Sequence, residues 1–273
     1  MSNWIRTVSL VKAIRTRLHR QFSSTPNGDL LKPTDTFISS YPRSGNTWAR
    51  ILATDVILQL HGFETATELP IHQDKVIPSI SRQGLDNVDD RLKLPYRLIT
   101  SHDVELIAGR RAVYIFRSAA DALCSYYHFH LRQPDLREAA LQCSVDYFCL
   151  EHLDDWGAHV SRAIQLKETG QSELLMMSYE QLLNDTINCL KSIMSFIGFD
   201  ATDNMLRRAV DNHTFEKQRS KERLGDNQIE YFFRKGKVGS AAEELQPETF
   251  SQIESRTQTM YERALAFTKL SVS

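Results

Sequence analysis

The run Phe37-Ile38-Ser39-Ser40-Tyr41-Pro42-Arg43-Ser44-Gly45-Asn46-Thr47-Trp48 has the residue types and spacing to bind an anion. A short β-type stretch enters a Pro/Gly turn, and an amphipathic helix leaves it with Trp48, Ile51, Leu52, Val56 and Leu60 near helical spacing. A strand, a tight turn and a helix N-terminus make backbone N–H groups converge, and the helix dipole adds partial positive charge. Arg43, Ser44, Asn46 and Thr47 add donors and one full positive charge. The chemistry is the grip of a phosphate or sulfate ester. A nucleoside-triphosphate loop would need Gly, four residues and then Gly-Lys-Ser/Thr. Here one glycine stands alone and no Lys-Ser/Thr pair follows it. In isolation such a turn reads as an ordinary capped β-turn-α connection. The rest of the chain changes that reading.

Ligands of open α/β folds sit at the carboxyl ends of the strands. Four apolar stretches read as strands: the one before Tyr41, Arg97–Thr100, Ala112–Phe116 and Leu174–Met177. The second is followed by Ser101-His102-Asp103 and the fourth by Ser178-Tyr179-Glu180. The third is followed by Arg117, then Asp121 and Ser125. A metal-dependent phosphoryl transferase of the P-loop type places an Asp near such a strand end. A guanidinium there repels a metal ion and invites a second anion. Near the C-terminus, Phe232-Phe233-Arg234-Lys235-Gly236-Lys237 is either a solvated loop or a further basic contact. Two anion sites, an arginine in place of a metal acid and nearby aromatics suggest a doubly phosphorylated nucleotide held without metal.

The elements that must position these groups alternate between strand and helix. Helical patterns start near Ala119 and cover 144–168, 186–197, 202–210 and 248–266. That alternation predicts an α/β domain with a central parallel sheet of about five strands flanked by helices. At 273 residues, 41% hydrophobic and 25% charged, the composition is globular. The net charge of −1 creates no field that would draw in nucleic acid. Cys124, Cys143, Cys149 and Cys189 show no CxxC or zinc spacing, which fits a reduced, cytoplasmic compartment. No apolar run reaches the ~18 residues of a membrane span. Residues 1–30 form a basic amphipathic segment: Arg6, Lys12, Arg15, Arg17 and Arg20 flank Trp4, Val8, Val11, Ile14 and Leu18 at helical spacing. Such a helix docks on its own domain or lies on a membrane surface. Residues 31–273 make up the remaining domain.

These motifs resemble, in order, those of the cytosolic-type sulfotransferases that use 3′-phosphoadenosine-5′-phosphosulfate (PAPS). Tyr41 to Trp48 is similar to the 5′-phosphosulfate loop, and Tyr114 to Arg117 with Asp121 and Ser125-Tyr126-Tyr127 to the 3′-phosphate segment. Tyr179-Glu180 is similar to the Tyr-Glu pair after the fourth strand, and Phe233 to Gly239 to the C-terminal Arg-Lys-Gly loop. The resemblance spans residues 37 to 239 and implies a single P-loop-NTPase-like domain. It implies that Arg43, Ser44, Gly45, Asn46, Thr47 and Trp48 hold the 5′-phosphate and the sulfuryl group. Arg117, Ser125, Arg234, Lys235 and Gly236 would hold the 3′-phosphate. By the same resemblance Trp48, Tyr179, Thr214, Phe215 and Phe233 would belong to the nucleotide site, the first four of them near the adenine.

The resemblance also implies His102 as general base and Arg43 as the cation at the leaving phosphate. PAPS would be the donor, PAP (adenosine 3′,5′-bisphosphate) the product, and no metal would be required. Asp103 is a rival base, but an unperturbed carboxylate is weakly basic.

Three positions depart from the family pattern. Arg43 stands where Lys is frequent, Thr100 where the second strand ends in Lys, and Gly239-Ser240-Ala241-Ala242 where the family has Gly-Asp-Trp-Lys. Arg43 with Asn46 resembles bacterial members, which implies natural-product tailoring. A guanidinium-bearing alkaloid of the saxitoxin type, a phenol or a simple alcohol would be the small-molecule acceptor, sulfated on oxygen or nitrogen. The competing functions are a P-loop nucleotide kinase and a nucleotide-binding module that has lost catalysis. The family's dimer motif, Lys-x-x-x-Thr-Val-x-x-x-Glu, has no convincing match after residue 250, so the oligomeric state is open.

Overall fold

A computed structural model describes residues 28–65, 69–81, 85, 88–224 and 236–268, with side chains 221–224 not described. The expected helix in residues 1–20 lies outside them. Strands β1 (Thr36–Ser40), β2 (Leu98–Ser101), β3 (Arg111–Phe116) and β4 (Glu173–Ser178) form one parallel sheet in the order β2-β1-β3-β4. Among the described residues the sheet has four strands, one for each apolar stretch, rather than about five. Among the described residues, the outer edge of β2 pairs with Pro78–Ile80, through Thr100 N to the Pro78 carbonyl (2.9 Å) and Ile80 N to the Thr100 carbonyl (3.0 Å). Proline has no N–H to extend that pairing into a fifth strand.

The period of two along each strand divides the side chains between two cores. Phe37, Ile99, Tyr114 and Met176 enter one core, and Ile38, Leu98, Val113 and Met177 the other. A parallel sheet with both faces covered reads as continuous apolar runs, which is why the strands were legible. Each buried Leu, Ile or Phe contributes about 1.5–3 kcal/mol. At the amino ends of β1 and β2, Arg97 forks onto buried Asp35 at 2.8 and 2.9 Å and pins their register.

Helix α1 (Asn46–Leu60) follows β1 onto the face that holds Trp48, Leu52 and Val56. Helix α2 (Ala119–His130) follows β3 onto the opposite face, with Ala120, Leu123 and Cys124 inward. Neighbouring strands that send their helices to opposite faces open a crevice at their carboxyl ends.

Helices α3 (Pro134–Leu141), α4 (Val145–Glu151) and α5 (Leu153–Glu168) come next. The single helix expected over 144–168 is thus broken at His152. That side chain is buried against Phe148, with ring centroids 4.3 Å apart, and bonds to Asp155 at 3.2 Å. The chain continues through α6 (Tyr179–Asn184), α7 (Thr186–Phe196), α8 (Asp203–Asn212), α9 (Phe215–Leu224) and α10 (Pro247–Leu265). Helices α7, α8 and α10 lie close to where periodicity puts them. The short α3 and α6, and the strongly charged α9, lack a clear apolar stripe.

Candidate active site

The turn from β1 into α1 uses left-handed backbone at Arg43 (φ 67°) and Gly45 (φ 103°). For arginine that conformation costs about 1–3 kcal/mol, and such strain concentrates at functional sites. Gly45 is needed twice over, because a Cβ there would stand 2.7 Å from Cδ2 of Tyr179. Gly45→Ala should therefore lower stability by about 1–3 kcal/mol in a urea titration and push Tyr179 off the loop.

Ser44 is fully buried, and its Oγ has no hydrogen-bond partner among the described residues. The same holds for Nε of the buried Arg117. Buried polar atoms of this kind are satisfied by a ligand or by ordered water. Asn46 behaves differently. Its Nδ2 donates to the carbonyls of Ile38 (3.0 Å) and Ser101 (3.5 Å), so it ties α1 to β1 and β2. Thr47 is half-buried beside it.

Arg117 joins the two sides of the crevice. It donates to the Arg43 carbonyl (3.3 Å) and the Lys237 carbonyl (3.1 Å), and it lies 4.4 Å from the centre of the Tyr179 ring. Across the same gap, Arg43 Nε donates to Ser125 Oγ at 3.2 Å, and its guanidinium stands over Phe129 at 5.3 Å. The two anion seats read from the sequence are thus adjacent. Arg43 bonds to Ser125 on α2, and Arg117 bonds to the backbone of the Arg43 loop.

Sequence reasoning placed Asp121 on α2 but gave it no role. Its carboxylate accepts from Gly239 N (2.7 Å), Ala241 N (2.9 Å) and Ser240 Oγ (3.4 Å), and pairs with Arg117 at 3.4 Å. It therefore anchors the segment after the Arg-Lys-Gly loop, where the family pattern Asp-Trp-Lys is missing. Gly236 is described at φ 63°, and a Cβ there would lie 2.6 Å from the Phe215 ring. Phe233, Arg234 and Lys235 lie outside the described residues. Trp48 Nε1 donates to the His213 carbonyl at 3.1 Å, beside Thr214. The Thr214 hydroxyl accepts from Lys217 N at 3.3 Å and caps α9.

His102 follows β2. Its Nδ1 lies 2.9 Å from the Ser40 carbonyl, which can only accept, so Nδ1 carries the proton and Nε2 keeps its lone pair. Burial lowers its pKa, the Arg43 charge adds to this, and the bond to Ser40 opposes it. The imidazole is neutral near pH 7 and able to accept a proton.

His159 on α5 was not foreseen, because the sequence has no signal that brings it to β2. Its Nε2 donates to the His102 carbonyl (3.0 Å), and its Nδ1 accepts from the Tyr114 hydroxyl (2.7 Å). Burial pushes its pKa down to about 3. His130 is also pushed down to about 3, first by burial and then by His152.

These shifts fix the sign of a pH effect. Each folded-state pKa lies below the unfolded value near 6.5, so below that pH the unfolded chain binds protons that the folded chain refuses. The melting temperature should be level above pH 7 and fall on acidification through 6.5. Each histidine adds up to about 1.4 kcal/mol per pH unit to that fall. His130→Gln should flatten the descent in a melting series from pH 8 to pH 5.

Among the described residues, no group of three or more His, Cys, Asp or Glu could hold a metal ion, and no helix is long and apolar enough to cross a membrane. A family model described as "Sulfotransferase domain" matches residues 33–267. Flavonol 3-sulfotransferase of Flaveria bidentis is 27% identical over 236 residues, 76% of this chain and 75% of that protein. Cytosolic sulfotransferase 1 of Danio rerio is 28% identical over 239 residues, 76% of each. Among solved structures, mouse sulfotransferase SULT7A1 complexed with PAP aligns with a TM-score of 0.63 at 20% identity, covering 92% of this chain and 95% of that one. Retinol dehydratase in complex with androsterone and inactive cofactor PAP aligns at 0.60 and 19% identity, covering 88% and 83%. These likenesses show a shared fold. With a domain match across most of its length, the chain belongs to the family of PAPS-dependent sulfotransferases.

Proposed function

We propose that the enzyme moves the sulfuryl group of PAPS to a hydroxyl or amine of a small-molecule acceptor, with His102 as general base and residues 31–273 as the transferase domain. One observation carries this reading. Arg43, Ser125 and Arg117 meet across the crevice, Arg43 to Ser125 at 3.2 Å and Arg117 to the Arg43 carbonyl at 3.3 Å, so cationic groups stand side by side as a ribose phosphorylated at both its 5′ and 3′ positions would need. The unpartnered Ser44 Oγ and Arg117 Nε fit the same ligand, since both are buried donors.

PAPS supplies an activated sulfur with 5′-phosphate as leaving group. His102 Nε2 takes the acceptor proton as the acceptor oxygen or nitrogen bonds to sulfur. The bond from sulfur to the 5′-phosphate oxygen breaks in line, and PAP leaves. Arg43 and the loop N–H groups stabilise the charge that grows on that oxygen, at roughly 3 kcal/mol for each well-aimed donor. Arg43 keeps its proton, because a guanidinium is charged at any relevant pH. Tyr126, at 6.1 Å from Tyr41, and Phe129 lie beside this centre and line the acceptor side in this reading.

The test is incubation with labelled PAPS and a pool of phenols, alcohols and guanidinium alkaloids, reading which mass gains a sulfo group. PAP binding without any sulfated product would mean a module that has lost catalysis. Turnover that stops under a chelator would overturn the metal-free reading.

A further inference from the structure

Asp55 lies two helical turns after Trp48 on α1, on the same face of the helix. It is fully buried, and its carboxylate collects four side-chain hydrogen bonds from four parts of the chain. Gln59 (2.6 Å) comes from α1, Thr65 (2.8 Å) from the loop after it, Asn212 (3.1 Å) from the end of α8, and His213 Nε2 (2.7 Å) from the junction between α8 and α9. Burial pushes the Asp55 pKa up, yet these bonds together outweigh it and hold the carboxyl below its ordinary value.

The other side of His213 is held as well, by Gln218 Nε2 at 2.8 Å from Nδ1. With an amide donating to Nδ1, Nε2 carries the proton given to Asp55. The His213 carbonyl takes the Trp48 indole N–H. Helix α1 therefore grips one residue twice, once through its side chain and once through its backbone. The next two residues are Thr214 and Phe215, and the Phe215 ring fills the space beside Gly236.

A buried carboxylate is costly unless fully hydrogen-bonded, and here the satisfied set spans segments more than 150 residues apart, as Asp55 and His213 are. Packing of α1 on α8 needs only apolar contacts. The polar set adds a fixed orientation for the peptide that leads into Thr214.

We propose that Asp55 is a positioning residue for the adenine-binding end of the nucleotide site, acting through His213 to set the α8–α9 junction. The proposal rests on the donor reading above. It assigns Asp55 to base recognition and not to phosphate binding or to sulfuryl transfer.

The experiment is calorimetric titration of the whole chain with two probes. One is adenosine 3′,5′-bisphosphate, and the other is the matching abasic sugar bisphosphate. In Asp55→Asn the new NH2 group faces donors whichever way the amide is turned, Gln59 and Thr65 on one side or Asn212 and His213 on the other. The expected result is about tenfold weaker binding of the adenosine compound, unchanged binding of the abasic one, a raised KM for PAPS and kcat within twofold of wild type. Equal weakening of both probes would show a merely structural role and overturn the proposal, as would no change in either. If Asp55→Asn fails to fold, Gln218→Leu removes only the far hydrogen bond. It should then give a smaller loss, about threefold, confined to the adenosine compound. A loss shared by both probes would again overturn the proposal. Wild-type protein that binds neither probe would instead refute the donor reading, and with it this inference. Wild-type binding with an indifferent Asp55→Asn would refute only the role of Asp55.

Discussion

His102→Ala should lower kcat by about 10²–10⁴-fold, the usual range for loss of a general base. PAP affinity should stay within about twofold, because His102 makes its hydrogen bonds to the Ser40 carbonyl and hydroxyl and none to Arg117 or Ser125. The small truncation leaves Ser40 without its partner at the end of β1, so a modest stability loss of about 1 kcal/mol accompanies it. Single-turnover rates with preloaded PAPS separate chemistry from binding. Full activity in this variant would remove His102 from the mechanism and leave Asp103 as the candidate. The same enzyme offers a second check. Because the His102 pKa is lowered, kcat of the wild type should hold through neutral pH and fall only below about 6.5, where an unperturbed imidazole would already be half protonated.

Arg117→Ala should weaken PAP binding by roughly 10- to 150-fold, as expected for charge-assisted hydrogen bonds worth about 1.5–3 kcal/mol. The loss should fall on the 3′-phosphate. Adenosine 5′-phosphate, which lacks it, should bind the variant and the wild type almost equally, and the preference for PAP should collapse by the same factor. Arg117→Lys should recover little, since an ammonium cannot fork between the Arg43 and Lys237 carbonyls while stacking on Tyr179. Removing Arg117 also strips the buried Asp121 of its cation. The bonds from Gly239 N and Ala241 N remain and limit the damage to the fold. If both nucleotides weakened equally, Arg117 would be a structural hub and not a phosphate ligand.

The Asp121 contacts bear on the missing Asp-Trp-Lys after Gly239. A short 3-10 turn, Ser240–Glu243, starts there, and Asp121 accepts two of its leading N–H groups. The C-terminal loop is thus fastened from α2, by a carboxylate 118 residues earlier in the chain than Gly239. Thr100, where the family has Lys, is 95% buried and pairs through its backbone with Pro78 and Ile80. A lysine there would bring a charge to the crevice floor. In this chain Arg43 and Arg117 supply the positive charge.

By itself the sequence determined the parallel α/β class, four strand positions, the Pro/Gly turn between β1 and α1, and the residues at each strand end. Those signals are local: apolar runs of strand length, a Pro/Gly turn, and polar residues just past each run. Motifs in family order further implied that Arg43, His102, Arg117 and Ser125 share a site. The tertiary structure alone decided how they meet. Which nitrogen of His102 is free depends on Ser40, 62 residues away, and the orientation of Arg117 depends on Lys237, 120 residues away. The same is true of His159, Asp55 and Asp121, whose partners lie 57, 158 and 118 residues off. Hydrogen-bond partners across such separations are set by which helices pack on which face of the sheet, and no periodicity within a single segment encodes that.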